Sequence, residues 1–551
     1  MKETKKNNRE GKYKLAGSKA AEAEMGIYIN PGDSGFKRIR NGQYIDKTGL
    51  IAVINNVIDT LDNLICVSRA RRFGKSLAAQ MLCAYYDKTC DAAALFDDLE
   101  IAGDPSYKDH LNRYDVIYLD MTTMLGNSKP EELIRFTEES IIKGLREEYP
   151  EVNEERTVVE TLTRTMRHTG NKFIVIIDEW DAPLRETPQI EKEYLQFLRT
   201  LFKGSGTTNQ LFAAVYMTGI LPIRKNGSQS AISDFREYTM LKPGKLARFT
   251  GFTEEEVRGL CDRNDLSFEK MAKWYDGYTV GRLCNIFNPY SVMSAVYWQE
   301  FESYWRKTST AETLITYVDM DMDGLQADIV RLIAGEEIYI HTEGFQNDLS
   351  DLRDKDDILT LLVHLGYLTC EIEEEESGGS IRLVKIPNEE VRQEFRDMLR
   401  RARHRKLVSL VQESDQLLRD TVKGNESAVA LAFEKLRDSE YAPTWYNNEQ
   451  ALRYFIKVAY ISCVDQYAKV EEMPTGHGIA DVVFVPRRRS QLPAMIVELK
   501  WNKTAENAIR QAKDRNYPAA LKNYGGDILL IGVSYEEGTG RHSCRIEKVR
   551  T

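Results

Sequence analysis

From about residue 36, and for the next 190 residues, short runs of consecutive apolar residues alternate with longer segments whose apolar positions recur every three or four residues. Those two patterns are the signatures of strands and of amphipathic helices. LICVS (64–68), VIYLDM (116–121), FIVIID (173–178) and LFAAVYMTG (211–219) are the predicted strands. SLAAQMLCAYYD, PEELIRFTEESIIKGLREEY and EKEYLQFLRTLF are the predicted helices, the second opened by Pro130 and paired glutamates. Strands that are apolar on both sides and alternate with helices predict a parallel α/β sheet covered on both faces.

Beyond about residue 253 the pattern turns helical and aromatic-rich, as in MAKWYDGY and NPYSVMSAVYWQEF. DDILTLLVHLGYL (356–368) predicts a helix, LTCEIEEEESGGSIRLVKIP a hairpin around a Ser-Gly-Gly turn, and a further helix starts near Asn388. Helix, hairpin and helix in that order fit a winged-helix-like linker, and a helical bundle with a hairpin equally. From about 436 a separate α/β unit begins, with helices through ALRYFIKVAYISCV and AENAIRQAKDRN and strands at ADVVFVP, AMIVELK and DILLIGVSY.

The 551 residues imply about three domains, and 42% hydrophobic with 29% charged residues is an ordinary globular composition. No apolar run approaches the ~20 residues of a membrane helix, and the charged start MKETKKNNREGKYK lacks a following apolar stretch. A cytoplasmic protein with no membrane partner and no secretion signal is therefore expected. That start carries six basic and two acidic residues and reads as a basic arm. The eight cysteines form no CxxC pair, and the seven histidines include no HExxH, so reduced thiols are expected and a catalytic metal must be held by carboxylates. A net charge of −10 gives no overall attraction for nucleic acid, so such binding would need local basic patches.

RARRFGKS (69–76) lies between a predicted strand and a predicted helix, the context of a phosphate-binding loop. Lys75 would reach the β and γ phosphates of ATP and Ser76 would bind Mg²⁺. Arg71, Arg72, Phe73, Gly74 and Leu77 complete the cradle of loop and helix N-terminus. Arg69 stands where GxxxxGK[ST] has its first glycine. IVIIDEW (174–180) supplies the second element: Asp178 to hold Mg²⁺ and Glu179 to polarise the attacking water. Thr218, ending the next strand, is placed to sense the γ phosphate. Arg71, Arg72 and Arg224 are candidate transition-state cations.

FKRIRNGQYIDKTGLI (36–51), RARRFGKS, IVIIDEWDAPL, YMTGILPIRK, KWYDGYTVG and NIFNPYS resemble successive blocks of AAA-ATPase-like proteins that carry a C-terminal PD-(D/E)XK nuclease domain, found mostly in bacteria. The arginine-rich loop is itself similar to that family's version. Tyr44, Asp46, Lys47, Tyr275 and Asp276 belong to these blocks and are expected to close the structure around the nucleotide domain.

In GIADVVFVPRRRSQLPAMIVELKWNKTAENAIRQAKDRNY (478–517), Asp481 opens one apolar strand and Glu498-Leu499-Lys500 ends the next. An antiparallel pair would set Asp481 beside Glu498, so that both share Mg²⁺ or Mn²⁺, with the Leu499 carbonyl and Glu449 as further ligands. Lys500, on the same strand face as Glu498, would orient or deprotonate the nucleophile and neutralise the transition state. The upstream helix with Glu449 and the Gln511-to-Tyr517 spacing resemble the PD-(D/E)XK core. Relatives often carry Gly-Arg-x-Asp here, whereas this chain has Gly478-Ile479-Ala480-Asp481. Arg487, Arg488 and Arg489, and a stripe of Arg396, Arg400, Arg403 and Lys406, are candidate phosphate contacts.

The expected organisation is a basic arm (1–35), an AAA-like P-loop ATPase domain (36–250), a helical, winged-helix-like linker (251–435) and a restriction-endonuclease-like α/β domain (436–551). ATP-dependent cleavage of nucleic acid, DNA before RNA, is the expected function, with homo-oligomer formation left open. The alternative is a nucleotide-controlled binding or signalling module on an inactive nuclease fold.

Overall fold

The four apolar runs form β1 (Leu64–Ser68), β2 (Asp115–Asp120), β3 (Phe173–Asp178) and β4 (Phe212–Gly219) in a computed structural model of the chain. It describes residues 28–152, 156–203, 210–223, 232, 234–305, 324–342, 345, 352, 354–374, 380–401, 405–438, 449–461, 463, 467–475, 478–486, 492–521 and 526–550. The chain divides into two units, one ending at Phe252 and one beginning at Thr253.

In the first unit the strand order is β2-β3-β4-β1, extended by β5 (Arg236–Tyr238), with every neighbour parallel. Alternate residues feed two separate cores, as a strand's two-residue period requires. Ile65, Val67, Ile174 and Ile176 pack with Leu82, Tyr85 and Tyr86 of the helix Lys75–Tyr86. Leu64, Cys66, Val175 and Ile177 pack with Tyr194, Leu198 and Phe202 of the helix Glu191–Phe202 on the opposite face. Strand β5 escapes a pattern-based reading because Arg-Glu-Tyr carries no apolar signature; it is held at the edge by backbone pairing with β1. Because β4 lies between β1 and β3, the carboxyl ends of those three strands come together at one edge of the sheet, where ligands of open α/β sheets bind.

The second unit contains the hairpin of β6 (Tyr278–Val280) and β7 (Leu283–Ile286), then β8 (Ile338–Ile340), β9 (Thr369–Glu374) and β10 (Ser380–Lys385) in an antiparallel sheet ordered β8-β10-β9. The helix Lys355–Leu365 and the predicted hairpin are present, and β8 adds a third strand. The C-terminal sheet runs β11 (Tyr467–Thr475), β12 (Gly478–Pro486), β13 (Ala494–Trp501), β14 (Asp527–Glu536) and β15 (Arg541–Arg550) in spatial order. Only β13 and β14 are parallel, and the helix Ala505–Asp514 supplies the crossover that parallel neighbours require. Its apolar face, Ile509 and Ala512, packs on Val483, Ile496 and Leu530. Among the described residues no helix is long and apolar enough to cross a membrane.

Candidate functional site

The loop leaving β1 owes its shape to two left-handed residues, Arg72 (φ 69°) and Gly74 (φ 86°). Glycine takes that conformation freely and caps the following helix, whereas an arginine there is held against its preference. Arg69, in the position of the missing glycine, is completely buried. Its Nε donates to Thr250 Oγ1 at 2.8 Å and Nη1 to the carbonyls of Ser68 (2.9 Å) and Tyr238 (2.8 Å). Burial pushes its pKa down to about 10. Arg69 is thus a tether from the start of the loop to β5 and to Thr250, where sequence reasoning saw only an absent glycine.

Lys75 opens the helix and is only 4% exposed. Its Nζ donates to the carbonyls of Arg69 (3.1 Å) and Ala70 (3.2 Å) and stands 3.6 Å from Glu179 Oε1. Phe73 is buried and its carbonyl accepts the Gly251 N–H at 3.1 Å; Arg71 is half-buried, while Ser76 and Leu77 are exposed on the first helical turn. The loop therefore leaves Lys75 and the helix N-terminus facing the strand end that carries Glu179.

At that strand end Thr218 Oγ1 donates to Asp178 Oδ1, and the Glu179 N–H donates to the same oxygen at 3.1 Å. Glu179 has a left-handed backbone (φ 51°), a conformation that costs a non-glycine residue about 1–3 kcal/mol and that its surroundings must impose. Four hydrogen bonds hold this turn. Trp180 donates its N–H to the Thr218 carbonyl at 2.8 Å, Asp181 accepts from the N–H of Ile220 (3.2 Å) and Leu221 (2.9 Å), and Arg185 Nη2 donates to Glu179 Oε2 at 2.9 Å. Arg185 Nε reaches Asp181 Oδ2 at 3.0 Å. Burial opposes the charge of Arg185, but Asp181, Glu179 and Glu186 outweigh it and raise its pKa. Arg185 and Asp181 were not predicted; their i, i+4 spacing directly after the acidic pair was the available signal.

In the C-terminal sheet Val482 pairs with Val497 in antiparallel register, which sets Asp481 opposite Glu498. Asp481 Oδ2 accepts the Leu499 N–H at 2.9 Å, and its Oδ1 accepts from Arg453 Nη2 at 2.8 Å, a residue of the helix Glu449–Ala459. Glu498 is 2% exposed; its Oε1 accepts from Lys500 Nζ at 3.0 Å and from Gln511 Nε2, while its buried Oε2 has no hydrogen-bond partner among the described residues. Burial, then the charge of Asp481, pushes the Glu498 carboxyl up to about 7. A buried carboxylate oxygen without a partner beside a second carboxylate is a situation that a hard divalent cation relieves, so these residues fit one. Lys500 Nζ also donates to the Leu499 carbonyl at 2.7 Å and lies 3.9 Å from Glu449 Oε1, so Glu449 joins the cluster through Lys500. Among the described residues no group of three or more His, Cys, Asp or Glu side chains is disposed to hold a metal ion. The acidic donors here are two carboxylates. Tyr517 ties the end of the crossover segment to β12 by donating to the Ile479 carbonyl at 2.8 Å, and Gln511 Nε2 lies 3.3 Å from its hydroxyl.

Other predicted residues fare differently. Arg396 is buried and ion-paired with Glu389 at 3.2 Å, so it does not belong to an exposed basic stripe. Arg224, Arg403 and Arg487 to Arg489, and the side chains of Arg400 and Lys406, lie outside the described residues, as do the basic arm through residue 27 and the hairpin tip at 375–379. Asp46 accepts from the Thr48 N–H (2.8 Å) and the Glu100 N–H (2.7 Å), Lys47 donates to the Arg248 carbonyl (2.9 Å), and Tyr44 is half-buried beside them. Tyr275 is buried and donates to the Glu302 carbonyl at 2.9 Å, and burial pushes the neighbouring Asp276 carboxyl up to about 6.

Residues 32–228 match a family model described as predicted AAA-ATPase (AAA-ATPase-like), and residues 447–543 match the PD-(D/E)XK nuclease superfamily. No curated protein matches the chain. Among solved structures it is similar to the ORC2 protein of Aeropyrum pernix in ADPNP-ADP complexes, at 12% identity and a TM-score of 0.28, covering 66% of this chain and 98% of that one. It is also similar to the ORC1 protein of the same organism in complex with DNA, at 12% identity and a TM-score of 0.24, covering 65% of this chain and 93% of that one.

Proposed function

With an AAA-ATPase-like domain and a PD-(D/E)XK nuclease-superfamily domain in one chain, we propose that the protein hydrolyses ATP in the first and phosphodiester bonds, in DNA before RNA, in the second. ATP binding or turnover controls the cut. The observation that carries the reading is the pair Asp481 and Glu498, set opposite each other with Lys500 on the second carboxylate and one buried oxygen without a partner among the described residues.

In the first domain Lys75 neutralises the β and γ phosphates, and the amides of Arg71, Arg72, Phe73, Gly74 and Leu77 line the anion's cradle. Ser76 and Asp178 are the residues that would hold Mg²⁺. Glu179 polarises the attacking water, while Thr218 holds Asp178 in place and reads the γ phosphate. In the second domain Asp481, Glu498 and the Leu499 carbonyl would hold the cation, which supplies positive charge to the scissile phosphate and acidifies water at the site. Lys500 orients the nucleophile and neutralises charge that develops on the phosphate.

One observation favours the non-cleaving alternative. Both oxygens of Asp481 and one of Glu498 already have partners within the chain, so the site can persist as a docking surface without a metal. The test is incubation of the purified protein with single- and double-stranded DNA and RNA, with and without ATP, in Mg²⁺ and Mn²⁺. Cleavage that disappears in Asp481→Ala supports the nuclease reading. Failure of the parent to cut any polymer under every condition moves the assignment to the binding module.

A further inference from the structure

Glu179 is reached from two sides. Lys75 approaches Oε1 at 3.6 Å, an ion pair longer than a hydrogen bond, and Arg185 donates to Oε2 at 2.9 Å. A bound triphosphate competes for Lys75, because that ammonium is the group the phosphates recruit. The contact from Arg185 then becomes the one that holds the Glu179 carboxylate. Arg185 is suited to this. Its side chain is 11% exposed, and a single edge of the guanidinium, Nε and Nη2, bridges Asp181 and Glu179 at 3.0 and 2.9 Å. Lysine, a single flexible point charge, cannot reproduce that bridge. Asp181 is in turn fixed by the N–H groups of Ile220 and Leu221, which directly follow Thr218 and Gly219 on β4. The orientation of Glu179 is therefore referenced to the strand that also bears Thr218, and Arg185 is the connecting piece.

We propose that Arg185 is a positioning residue for nucleotide hydrolysis: it aims Glu179 at the attacking water without itself touching the nucleotide. This rests on the reading of Glu179 as the group that polarises that water. Asp181 keeps its two backbone donors when Arg185 is removed, so the fold does not depend on the bridge, whereas the carboxylate of the left-handed Glu179 loses the bond from Arg185, a side chain that the phosphates do not claim. A carboxylate displaced by about 1 Å lowers turnover by about 10²-fold while ground-state binding is kept.

The experiment measures ATP affinity with a fluorescent nucleotide analogue, and steady-state and single-turnover hydrolysis, in the full chain and in Arg185→Ala, Arg185→Lys, Glu179→Gln and the double variant Arg185→Ala/Glu179→Gln. Arg185→Ala should lose about tenfold to a hundredfold in kcat with KM and nucleotide affinity within about threefold, Arg185→Lys should recover part of the loss, and the double variant should be no slower than Glu179→Gln alone. Parent-like kcat in Arg185→Ala overturns the inference. So does a parallel loss of affinity, or a loss that multiplies with that of Glu179→Gln, since either shows Arg185 acting on the fold or the nucleotide directly. If the parent binds no nucleotide, or Glu179→Gln turns over as fast as the parent, the reading of Glu179 has failed and the inference falls with it; an intact Glu179→Gln defect beside a normal Arg185→Ala rejects the inference alone.

Discussion

Leu499 donates its backbone N–H to Asp481 Oδ2 at 2.9 Å, bonding the first acidic residue of the C-terminal cluster to the strand that carries the second. The two carboxylates are thereby held as one unit, and each substitution in the cluster has a distinct expected effect. Asp481→Ala and Glu498→Gln should abolish Mn²⁺ binding by calorimetry and lower nucleic-acid cleavage by more than about 10²-fold. Lys500→Ala should retain Mn²⁺ and substrate while losing about 10²–10³ in rate, because its proposed role is to neutralise charge that develops in the transition state. Equal loss of metal in Lys500→Ala would remove that distinction.

At the proposed phosphate-binding loop, Lys75→Ala should bring nucleotide binding below detection, since in the proposed function its buried ammonium is the group that meets the phosphates. Glu179→Gln should bind ATP as the parent does and hydrolyse it about 10²–10⁴-fold more slowly. Equilibrium binding and phosphate release read the two effects separately, and parent-like affinity in Lys75→Ala would show that the loop is not the nucleotide site.

Arg69→Gly restores the usual first residue of a phosphate-binding loop and yet should damage this one. It removes three hydrogen bonds from a fully buried side chain and leaves a cavity, a loss on the order of 3–5 kcal/mol. Urea denaturation of the variant should show a lower midpoint with weaker nucleotide binding. A parent-like midpoint would mean that the tether to Thr250 and Tyr238 contributes nothing.

His542 stacks on Phe455 at 5.6 Å and lies 4.9 Å from the Tyr535 ring. Burial, then the charge of Arg437, pushes its pKa from 6.5 down to about 4. Between those values the unfolded chain binds a proton that the folded chain refuses. The contribution is complete above pH 6.5 and is lost as pH falls toward 4, a change on the order of 3 kcal/mol. His542→Phe should flatten that limb of the stability profile in urea melts taken from pH 7 to pH 4. An unchanged acid limb would assign it to other groups.

Much of this architecture is legible in the chain itself. The stretches IVII of IVIIDEW and AMIV of AMIVELK are apolar at every position, which predicts strands covered on both faces, and GKS between strand and helix is the local pattern of a phosphate-binding loop. Asp178, Glu179, Asp481, Glu498 and Lys500 stand out in the sequence because each borders an apolar run, although β12 and β13 extend past Asp481, Glu498 and Lys500. What local pattern leaves open is which strands become neighbours. The insertion of β4 between β1 and β3, which brings Thr218 onto Asp178, is a long-range choice made by the packing of two cores against one sheet. The same holds for partners that arrive from distant segments. Arg69 reads as a defective loop residue until Thr250 and Tyr238 surround it, and Arg396 reads as an exposed cation until Glu389 and burial claim it. Arg185 meets Asp181 and Glu179 only once the turn at 178–181 has folded back onto β4. The sequence by itself determined which residues carry charge and which segments must be buried. Tertiary structure decided which charges meet, because the interactions that select a charge's partner act through space and depend on the burial of both groups.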